Sequence, residues 1–264
     1  MKDKLRTAFI ERFSSNPIFY ASAGRINLIG EHTDYNGGFV FPGAIDKYIM
    51  TAININGTDK VRLYSVDMNQ YTEFGLREED KPAEQWACYV FGVCREVIKR
   101  GFELKGFDAV FAGNVPLGAG LSSSAALESC FAYALNDLFN DNKISIFELA
   151  LIGQSTEHNY CGVNCGIMDQ FASVFGKKDC LMRLDCRSLE FKYFPFKPVG
   201  YKLVLVNSQV KHELVDSPYN KRRESCERVA KTLGVETLRD ADMSMLEAAK
   251  AQISDEDYKR AVYV

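Results

Sequence analysis

Residues 24–38 hold a high density of side chains that could bind a polar ligand, and they read GRINLIGEHTDYNGG. An arginine, a glutamate, a histidine and an aspartate fall within the ten positions from Arg25 to Asp34. Such groups are costly to bury unless they meet each other or a polar ligand, and a sugar is a ligand of that kind. The alternative is a solvated charged turn, because DYNGG at residues 34–38 also has the composition of a hairpin turn.

A second segment, residues 114–126, has the composition of an anion-binding turn and reads NVPLGAGLSSSAA. It follows a predicted strand and leads into a predicted helix. Glycines let the backbone approach an anion closely, and the free amides and the dipole of a helix start attract one. The chain has neither a Walker A pattern nor a GxGxxG pattern, so those two nucleotide-binding loops are excluded. An ordinary strand-to-helix turn is the alternative interpretation.

A third segment, residues 157–170, reads EHNYCGVNCGIMDQ and places Asp169 near the start of a predicted helix. Phosphoryl transfer needs a residue that orients or deprotonates the attacking hydroxyl, and an aspartate is suited to that task. A single aspartate at a helix start usually stabilises the amino-terminal end of the helix. Composition alone therefore leaves the role of Asp169 open.

These three segments carry a family resemblance. PLGAGLSSSAA resembles the second motif of the GHMP kinases, the superfamily of galactokinase, homoserine kinase, mevalonate kinase and phosphomevalonate kinase. GRINLIGEHTDYNGG resembles the galactokinase signature, and EHNYCGVNCGIMDQ resembles the galactokinase segment that carries a magnesium-binding glutamate and the catalytic aspartate. The match runs from the start of the chain to about Leu233, with the motifs in the family's order.

The resemblance implies a sugar kinase of the galactokinase family, which transfers a phosphoryl group from ATP to D-galactose. The products would be ADP and α-D-galactose 1-phosphate, in the first phosphorylation of the Leloir galactose pathway. Galactose and ATP are the implied partners, and Mg²⁺ is the implied cofactor. In the family pattern, Asp169 and Arg25 are the catalytic residues, and Arg25 lies beside Asp169 to stabilise charge on the transferring phosphoryl group.

The same resemblance assigns the binding residues. Those implied for the sugar are Glu31, His32, Thr33, Asp34, Gly166 and Tyr219. Those implied for ATP are Gly118, Ala119, Gly120, Leu121, Ser122, Ser123 and Ser124, and those implied for Mg²⁺ are Ser124 and Glu157. For Tyr219, aromatic packing at a helix start is an equally good interpretation. The neighbouring Arg222 and Arg223 are predicted to lie on a solvated helix face or in its salt bridges and receive no site role.

Two other functions stay open on the same fold. One is a sensor that binds galactose and ATP without catalysis, although the presence of Ser124, Ala125 and Ala126 favours an enzyme. The other is a kinase for N-acetylgalactosamine or arabinose. The third GHMP motif, a glycine-rich stretch near the carboxyl terminus of family members, does not occur in these 264 residues. We therefore expect the chain to lack the carboxyl-terminal third of the family pattern.

The predicted elements that must position these residues are mixed in type. Trp86, Tyr89, Val90 and Val93 recur at helical spacing within residues 84–100, and Ser145 with Glu148 forms a capping-box pattern. Ser217 and Pro218 have the composition of a helix start. The other predicted helices are an opening helix through Leu5, Phe9 and Phe13 and helices at 125–139 and 219–233. The predicted β-rich segments lie around 18–24, 38–56 and 61–66, and the predicted strands at 107–112, 180–184, 189–194 and 201–206.

We therefore predict an α+β protein with the GHMP kinase fold. A domain at residues 1–199 would have the mixed sheet of the ribosomal protein S5 domain 2-like type and would hold the galactose signature and the phosphate loop. Residues 200–264 would be the incomplete start of a ferredoxin-like carboxyl-terminal domain. No internal repeat is present.

Composition excludes several other classes. With 32 basic and 35 acidic residues the net charge is −3, so nucleic acid is not an expected partner. No apolar run approaches the roughly 20 residues of a bilayer span, and the first residues do not resemble a signal peptide. We expect a cytoplasmic monomer with no membrane partner. The eight cysteines lack a repeated spacing, which favours buried free thiols.

Overall fold

The computed structural model describes residues 1–116, 118–207 and 218–264. The chain forms two compact units that alternate along the sequence. The first unit comprises residues 1–26, 44–162 and 169–176, and the second comprises 27–43, 163–168 and 177–264. The predicted division into domains at residues 199 and 200 stays a prediction.

Eight α-helices and eight β-strands make up the regular structure of the described residues. The helices are α1 (Lys2–Phe13), α2 (Gln85–Lys99), α3 (Ser123–Asn140), α4 (Ile146–Thr156), α5 (Met168–Phe175), α6 (Pro218–Leu233), α7 (Met243–Ala248) and α8 (Asp255–Tyr263). The strands are β1 (Ile18–Asn27), β2 (Phe39–Val40), β3 (Pro42–Ile55), β4 (Lys60–Ser65), β5 (Gln70–Gly75), β6 (Phe107–Gly113), β7 (Cys180–Asp185) and β8 (Phe191–Pro195).

A five-stranded mixed sheet, in the order β1-β3-β6-β4-β5, is the centre of the first unit. Strand β6 pairs antiparallel with β3 and parallel with β4. Its side chains alternate between the two faces of the sheet. Val110 and Ala112 pack with Leu5 and Phe9 of α1, whereas Phe111 contacts Phe131 of α3. Because both faces are covered, β6 is apolar along almost its whole length, and the mixed sheet confirms the predicted α+β class.

The helices α2, α3 and α4 pack on one another in the first unit. The predicted helix at 84–100 is confirmed as α2, and the predicted helix at 125–139 is confirmed as α3. The Ser145 side chain accepts a hydrogen bond from the backbone N–H of Glu148, as the capping pattern predicts. Phe91 and Phe131 are fully buried in this layer. The phosphate-loop segment therefore leads into a helix that is held by a rigid apolar core.

The second unit contains a three-stranded antiparallel sheet, β2-β7-β8, and the helices α6, α7 and α8. Cys226, Val229 and Ala230 of α6 pack with Leu238 and Leu246. The strands predicted at 180–184 and 189–194 are confirmed by β7 and β8, and the helix predicted at 219–233 is confirmed by α6. Ser217, the predicted cap of that helix, lies outside the described residues.

The strand predicted at 201–206 is wrong. Residues 201–207 have no strand assignment, and Tyr201, Val204 and Val206 are mostly exposed. The alternation of apolar side chains is typical of a strand, but a strand also needs a neighbour that completes its backbone hydrogen bonds. None of the residues that the structure describes pairs with this segment. The prediction failed because pairing depends on residues distant in the sequence.

The cysteines are free in the structure, and six of the eight are buried. This agrees with the prediction of buried free thiols. Within the described parts of the chain, no helix is both long enough and apolar enough to cross a membrane. The monomeric state and the cytoplasmic location stay predictions.

Candidate functional site

The glycine- and serine-rich turn at residues 118–122 has a left-handed backbone that only some residues adopt easily. Gly118, Gly120 and Ser122 have φ angles of 68°, 71° and 58°. A Cβ atom at either glycine would meet no atom of the described residues within 4 Å, so the backbone conformation, and not a lack of space, explains why glycine is needed here. The turn ends at Ser122, and α3 begins at Ser123. Backbone amides of this turn and the start of a long helix together form a suitable anion site.

Strand β1 lies directly against this turn. The backbone N–H of Arg25 donates to the Leu121 carbonyl at 3.1 Å. A Cβ atom on Gly24 would lie 2.6 Å from that same oxygen, so a glycine is required at this position. The strand therefore brings the Arg25 side chain next to the turn.

Arg25 and Asp169 form a two-pronged ion pair in the first unit. Nε of Arg25 donates to Oδ1 of Asp169 at 2.6 Å, and Nη2 donates to Oδ2 at 2.7 Å. Nη1 of the same guanidinium donates to the Gly120 carbonyl at 2.5 Å. The Ser122 hydroxyl donates to Oδ2 of Asp169 at 2.5 Å. The carboxylate, the arginine and the turn are thus one hydrogen-bonded group, with Arg25 beside Asp169 as the sequence predicts.

The residues predicted to bind metal lie on two elements near this group. Ser124 is in the first turn of α3, and Glu157 is in the single π-helical turn Glu157–Cys161 that follows α4. Glu157 is buried. Among the described residues, no group of three or more histidine, cysteine, aspartate or glutamate side chains could hold a metal ion. A site here would need oxygen ligands from a bound substrate as well.

A buried carboxylate that sequence reasoning missed lies beside Glu157. Glu128 is fully buried in α3, one helical turn after Ser124. Gln170 donates to Oε2 of Glu128 at 3.3 Å, whereas Oε1 has no hydrogen-bond partner among the described residues. Burial, and next the nearby Glu157 carboxylate, raise the pKa of Glu128 well above its ordinary value. An acidic residue at an inward position of an apolar helix was the available signal.

The signature residues Glu31 to Asp34 lie in the second unit, in a tight turn between Gly30 and Gly38. Gly30 has a φ of 103°, and a Cβ atom there would lie 2.4 Å from the Phe39 carbonyl oxygen. The Thr33 hydroxyl lies 2.8 Å from the Gly30 carbonyl oxygen and 2.7 Å from that of Phe39. The Thr33 side chain therefore holds the turn closed, because its hydroxyl contacts these two backbone carbonyl oxygens.

Asp34, Gly166 and Tyr219 come together in this unit. Asp34 is buried, and a Cβ atom on Gly166 would lie 2.0 Å from its Oδ2. The Gly166 N–H donates to the Tyr219 hydroxyl at 3.3 Å. The Asp34 carboxylate thus packs on a backbone that has room for no side chain. Tyr219 also contacts the rings of His32 and Tyr35, so it takes part in aromatic packing as well as this polar contact.

His32 lies between Tyr35 and Arg222. Its Nδ1 is 3.0 Å from the Tyr35 hydroxyl, and its Nε2 is 3.0 Å from Nη1 of Arg222. Burial, and next the charge of Arg222, lower the pKa of His32, while Glu31 opposes this shift. Arginine is only a donor, so Nε2 accepts and the imidazole is neutral in this arrangement. Arg222 is exposed, as the predicted solvated face implies, and α6 also turns it towards this histidine.

Glu31 is exposed and accepts a hydrogen bond from Nδ2 of Asn27 at 2.8 Å. Its carboxylate is therefore available to solvent as well as to a ligand.

The predicted site residues fall into two groups, one in each compact unit. The first unit holds Arg25, Gly118 to Ser124, Glu157 and Asp169, and the second holds Glu31 to Asp34, Gly166 and Tyr219.

Two family models match the chain. The model described as "GHMP kinases N terminal domain" matches residues 88–177, and "Galactokinase galactose-binding signature" matches residues 7–55. The first match includes the glycine- and serine-rich turn and Asp169, and the second includes Arg25 and the turn at residues 30–38.

Curated relatives agree with these matches. The chain is 44% identical to galactokinase of Thermotoga petrophila over 241 residues. The aligned region covers 91% of this chain and 66% of that protein. It is also 44% identical to galactokinase of Thermosipho africanus over 216 residues, and that aligned region covers 82% of this chain and 60% of that protein. The chain thus spans slightly less than two thirds of the length of these relatives.

Solved structures give the same result. The Lactococcus lactis galactokinase complexed with galactose superposes with a TM-score of 0.90 and 35% identity, over 98% of this chain and 70% of that one. A Methanococcus jannaschii mevalonate kinase, at 14% identity and a TM-score of 0.56, shares the fold. The motifs, the site geometry and these similarities lead to one assignment: the chain belongs to the galactokinase family of the GHMP kinases.

Proposed function

We propose that the chain carries out the galactokinase reaction, in which ATP and D-galactose give ADP and α-D-galactose 1-phosphate. The observation that carries this proposal is the hydrogen-bonded group in the first unit. Arg25 binds Asp169 with two hydrogen bonds, and both residues also bind the turn at Gly120 and Ser122. A carboxylate suited to orient a hydroxyl is thereby fixed beside a turn suited to bind phosphate.

In this proposal Asp169 orients the anomeric hydroxyl of galactose and accepts its proton as the new P–O bond forms. The bond between the γ-phosphorus and the bridging oxygen of ATP breaks, and ADP leaves. Arg25 holds the carboxylate in position and offers positive charge to the transferring phosphoryl group. The amides of residues 118–124 bind the ATP phosphates at the start of α3.

We propose that Ser124 and Glu157 hold Mg²⁺ together with the phosphates of ATP. A hydroxyl and a carboxylate are the hard oxygen ligands that this ion prefers, and proteins usually supply only one or two of them. The buried Glu128 and Glu157 carboxylates lie close together, and Oε1 of Glu128 has no hydrogen-bond partner in the part of the chain that is described. A cation beside Glu157 would offset the negative charge of that carboxylate. When bound, Mg²⁺ would neutralise charge on the phosphates.

The sugar would be held by residues of the galactose signature together with Gly166 and Tyr219. Asp34 and Glu31 are proposed to accept hydrogen bonds from sugar hydroxyls, with Gly166 giving Asp34 the room it needs. Tyr219 and His32 would bound the sugar site, and Thr33 would keep the turn closed. This arrangement supports galactose as the acceptor and leaves the acceptor range to experiment.

The test is galactose-dependent release of ADP from ATP, measured with and without Mg²⁺. D-glucose and N-acetylgalactosamine serve as parallel acceptors. We expect turnover with galactose and Mg²⁺, and little with the other two sugars. Turnover with N-acetylgalactosamine alone would reassign the acceptor.

Calorimetric titration with galactose distinguishes the kinase from the remaining alternative, a sensor that binds galactose and ATP without catalysis. A folded chain that binds galactose and ATP but releases no ADP would be a sensor, and the proposed reaction would be wrong. Turnover at equal rates with and without Mg²⁺ would contradict the proposed metal site alone.

A further inference from the structure

One face of helix α6 holds the loop at residues 163–166 through its backbone. Nη1 of Arg223 lies 3.0 Å from the Asn164 carbonyl oxygen and 3.3 Å from that of Cys165. The Asn164 N–H donates to the Asn220 side-chain oxygen at 3.1 Å. All of these residues belong to the second unit. The loop is thus bound at successive residues by side chains of a single helix.

The spacing of these side chains follows from helix geometry. Tyr219 and Arg223 are four residues apart, and Asn220 and Arg223 are three apart, so the three lie on neighbouring positions of one face. Glu227, a further four residues along, accepts a hydrogen bond from Nε of Arg223 at 2.8 Å. The arginine is therefore oriented from its own helix before it reaches the loop. The salt bridge with Glu227 agrees with the prediction for Arg223, whereas its contacts with the loop were not predicted.

The bound loop ends in the glycine on which Asp34 packs. Gly166 follows Asn164 and Cys165, and a Cβ atom on Gly166 would lie 2.0 Å from Oδ2 of Asp34. A small displacement of the loop would therefore move Gly166 into the Asp34 carboxylate or away from it. Charged donors bind carbonyl oxygens more strongly than neutral ones do, so Arg223 is the strongest of these restraints.

We propose that Arg223, assisted by Asn220, is a positioning residue for sugar binding. It does not touch the substrate. It holds the loop at residues 163–166 so that Gly166 and Asp34 keep the relative placement that galactose needs. This inference rests on the proposed galactokinase function, because it names a determinant of the same sugar site.

The proposal predicts a change that is selective for the sugar. In Arg223→Gln we expect the KM for galactose to rise about tenfold, with the KM for ATP unchanged and kcat reduced less than threefold. A tenfold loss corresponds to about 1.4 kcal/mol of binding free energy. Arg223→Lys keeps a charged donor that can reach one carbonyl, so it should recover part of the affinity. Asn220→Ala should show a smaller rise in the same KM.

Lys231→Gln is the matched control, because Lys231 is an exposed basic residue on the same helix. It should leave both KM values unchanged. A readout that does not need turnover is amide hydrogen exchange. We expect the amides of Asn164 and Gly166 to exchange faster in Arg223→Gln than in the unaltered protein, and that of Asn164 to exchange faster in Asn220→Ala.

Each outcome decides the proposal. Unchanged galactose KM and unchanged exchange in a folded Arg223→Gln variant would overturn it. Equal rises in both KM values with a lowered Tm, and no recovery in Arg223→Lys, would also overturn it, since they indicate a role in stability alone. If the unaltered protein shows no turnover, the proposed function fails, and the exchange rates together with galactose titration calorimetry still decide whether Arg223 holds the loop.

Discussion

Two ion pairs in the first unit have almost the same geometry but very different surroundings. Arg25 binds Asp169 at 2.6 and 2.7 Å, and Arg62 binds Asp108 at 2.6 Å through both prongs. In the first pair the arginine side chain is 13% exposed and the carboxylate 26%. In the second the order is reversed, with the arginine 36% exposed and the carboxylate 5%. Only the first pair presents an accessible carboxylate.

The neighbours of the two carboxylates also differ. Arg62 and Asp108 are register partners on the parallel strands β4 and β6, and Asn56 donates to the same carboxylate at 2.8 Å. That pair joins elements of one sheet. Asp169 instead accepts from the Ser122 hydroxyl, and Arg25 also binds the Gly120 carbonyl. Ion-pair geometry alone therefore does not identify a catalytic residue, whereas an accessible carboxylate beside a turn suited to bind an anion is a far more specific feature.

The largest expected difference comes from removing each carboxylate. Asp169→Asn keeps the size of the side chain but removes the proton acceptor, so we expect kcat to fall about 10³-fold with little loss of stability. Asp108→Asn should leave kcat unchanged and lower the free energy of unfolding by about 2 to 3 kcal/mol, because a buried charged hydrogen bond is lost. ADP release and urea unfolding measure the two quantities. Full turnover by a folded Asp169→Asn variant would refute the assigned role.

A smaller effect is expected from the neutral donors that orient the two carboxylates. Ser122→Ala removes one hydrogen bond from Asp169, and we expect kcat to fall about tenfold. Asn56→Ala removes the corresponding donor from Asp108, and it should lower the free energy of unfolding by about 1 to 2 kcal/mol without changing kcat. The same two assays are used. A loss of turnover in Asn56→Ala equal to that in Ser122→Ala would show that the two pairs do not differ as described.

A third ion pair, in the second unit, should contribute to stability in a pH-dependent way and should not affect kcat. Arg239 donates two hydrogen bonds to Asp185 and, together with backbone amides, lowers the pKa of that carboxyl to about 2. In the unfolded chain the same carboxyl has a pKa of about 3.9. The unfolded state therefore takes up a proton first as the pH falls, so this stabilisation is present above about pH 4 and is lost towards pH 2.

The measurement is the Tm of the unaltered protein and of Asp185→Asn from pH 6 down to pH 3. We expect the unaltered protein to have the higher Tm at pH 6, and the gap to narrow below about pH 4. A gap that stays constant over this range would contradict the assigned pKa of Asp185. No change in kcat is expected at neutral pH.

Local patterns in the sequence predicted the three longest helices, α2, α3 and α6, and several strands. The spacing of Trp86, Tyr89, Val90 and Val93 gives one apolar face, and that face is buried in α2. The Ser145 cap needs only residues three apart, and it forms as predicted. The segment at 201–206 shows where this reasoning ends, because its alternation is local, whereas a strand also needs a pairing partner and none of the described residues provides one.

The candidate site was predictable where a motif names its residues, and less so where packing decides. The motifs identified Arg25 and Asp169, and the structure brings the two together. In the sequence, Glu128 cannot be told apart from a solvent-exposed glutamate. Only the packing of α3 shows that its side chain is fully buried. Arg223 could not be separated from a surface arginine by composition, because its partners are backbone carbonyl oxygens, and every residue has one.

The sequence by itself determined the family, the α+β class and the types of residue available for chemistry. These follow from residue identity and from spacing along the chain. The tertiary structure alone decided which carboxylate is accessible, which is buried beside a second carboxylate, and which arginine holds a loop in place. Those properties depend on burial and on contacts between residues tens to hundreds of positions apart, and folding sets both.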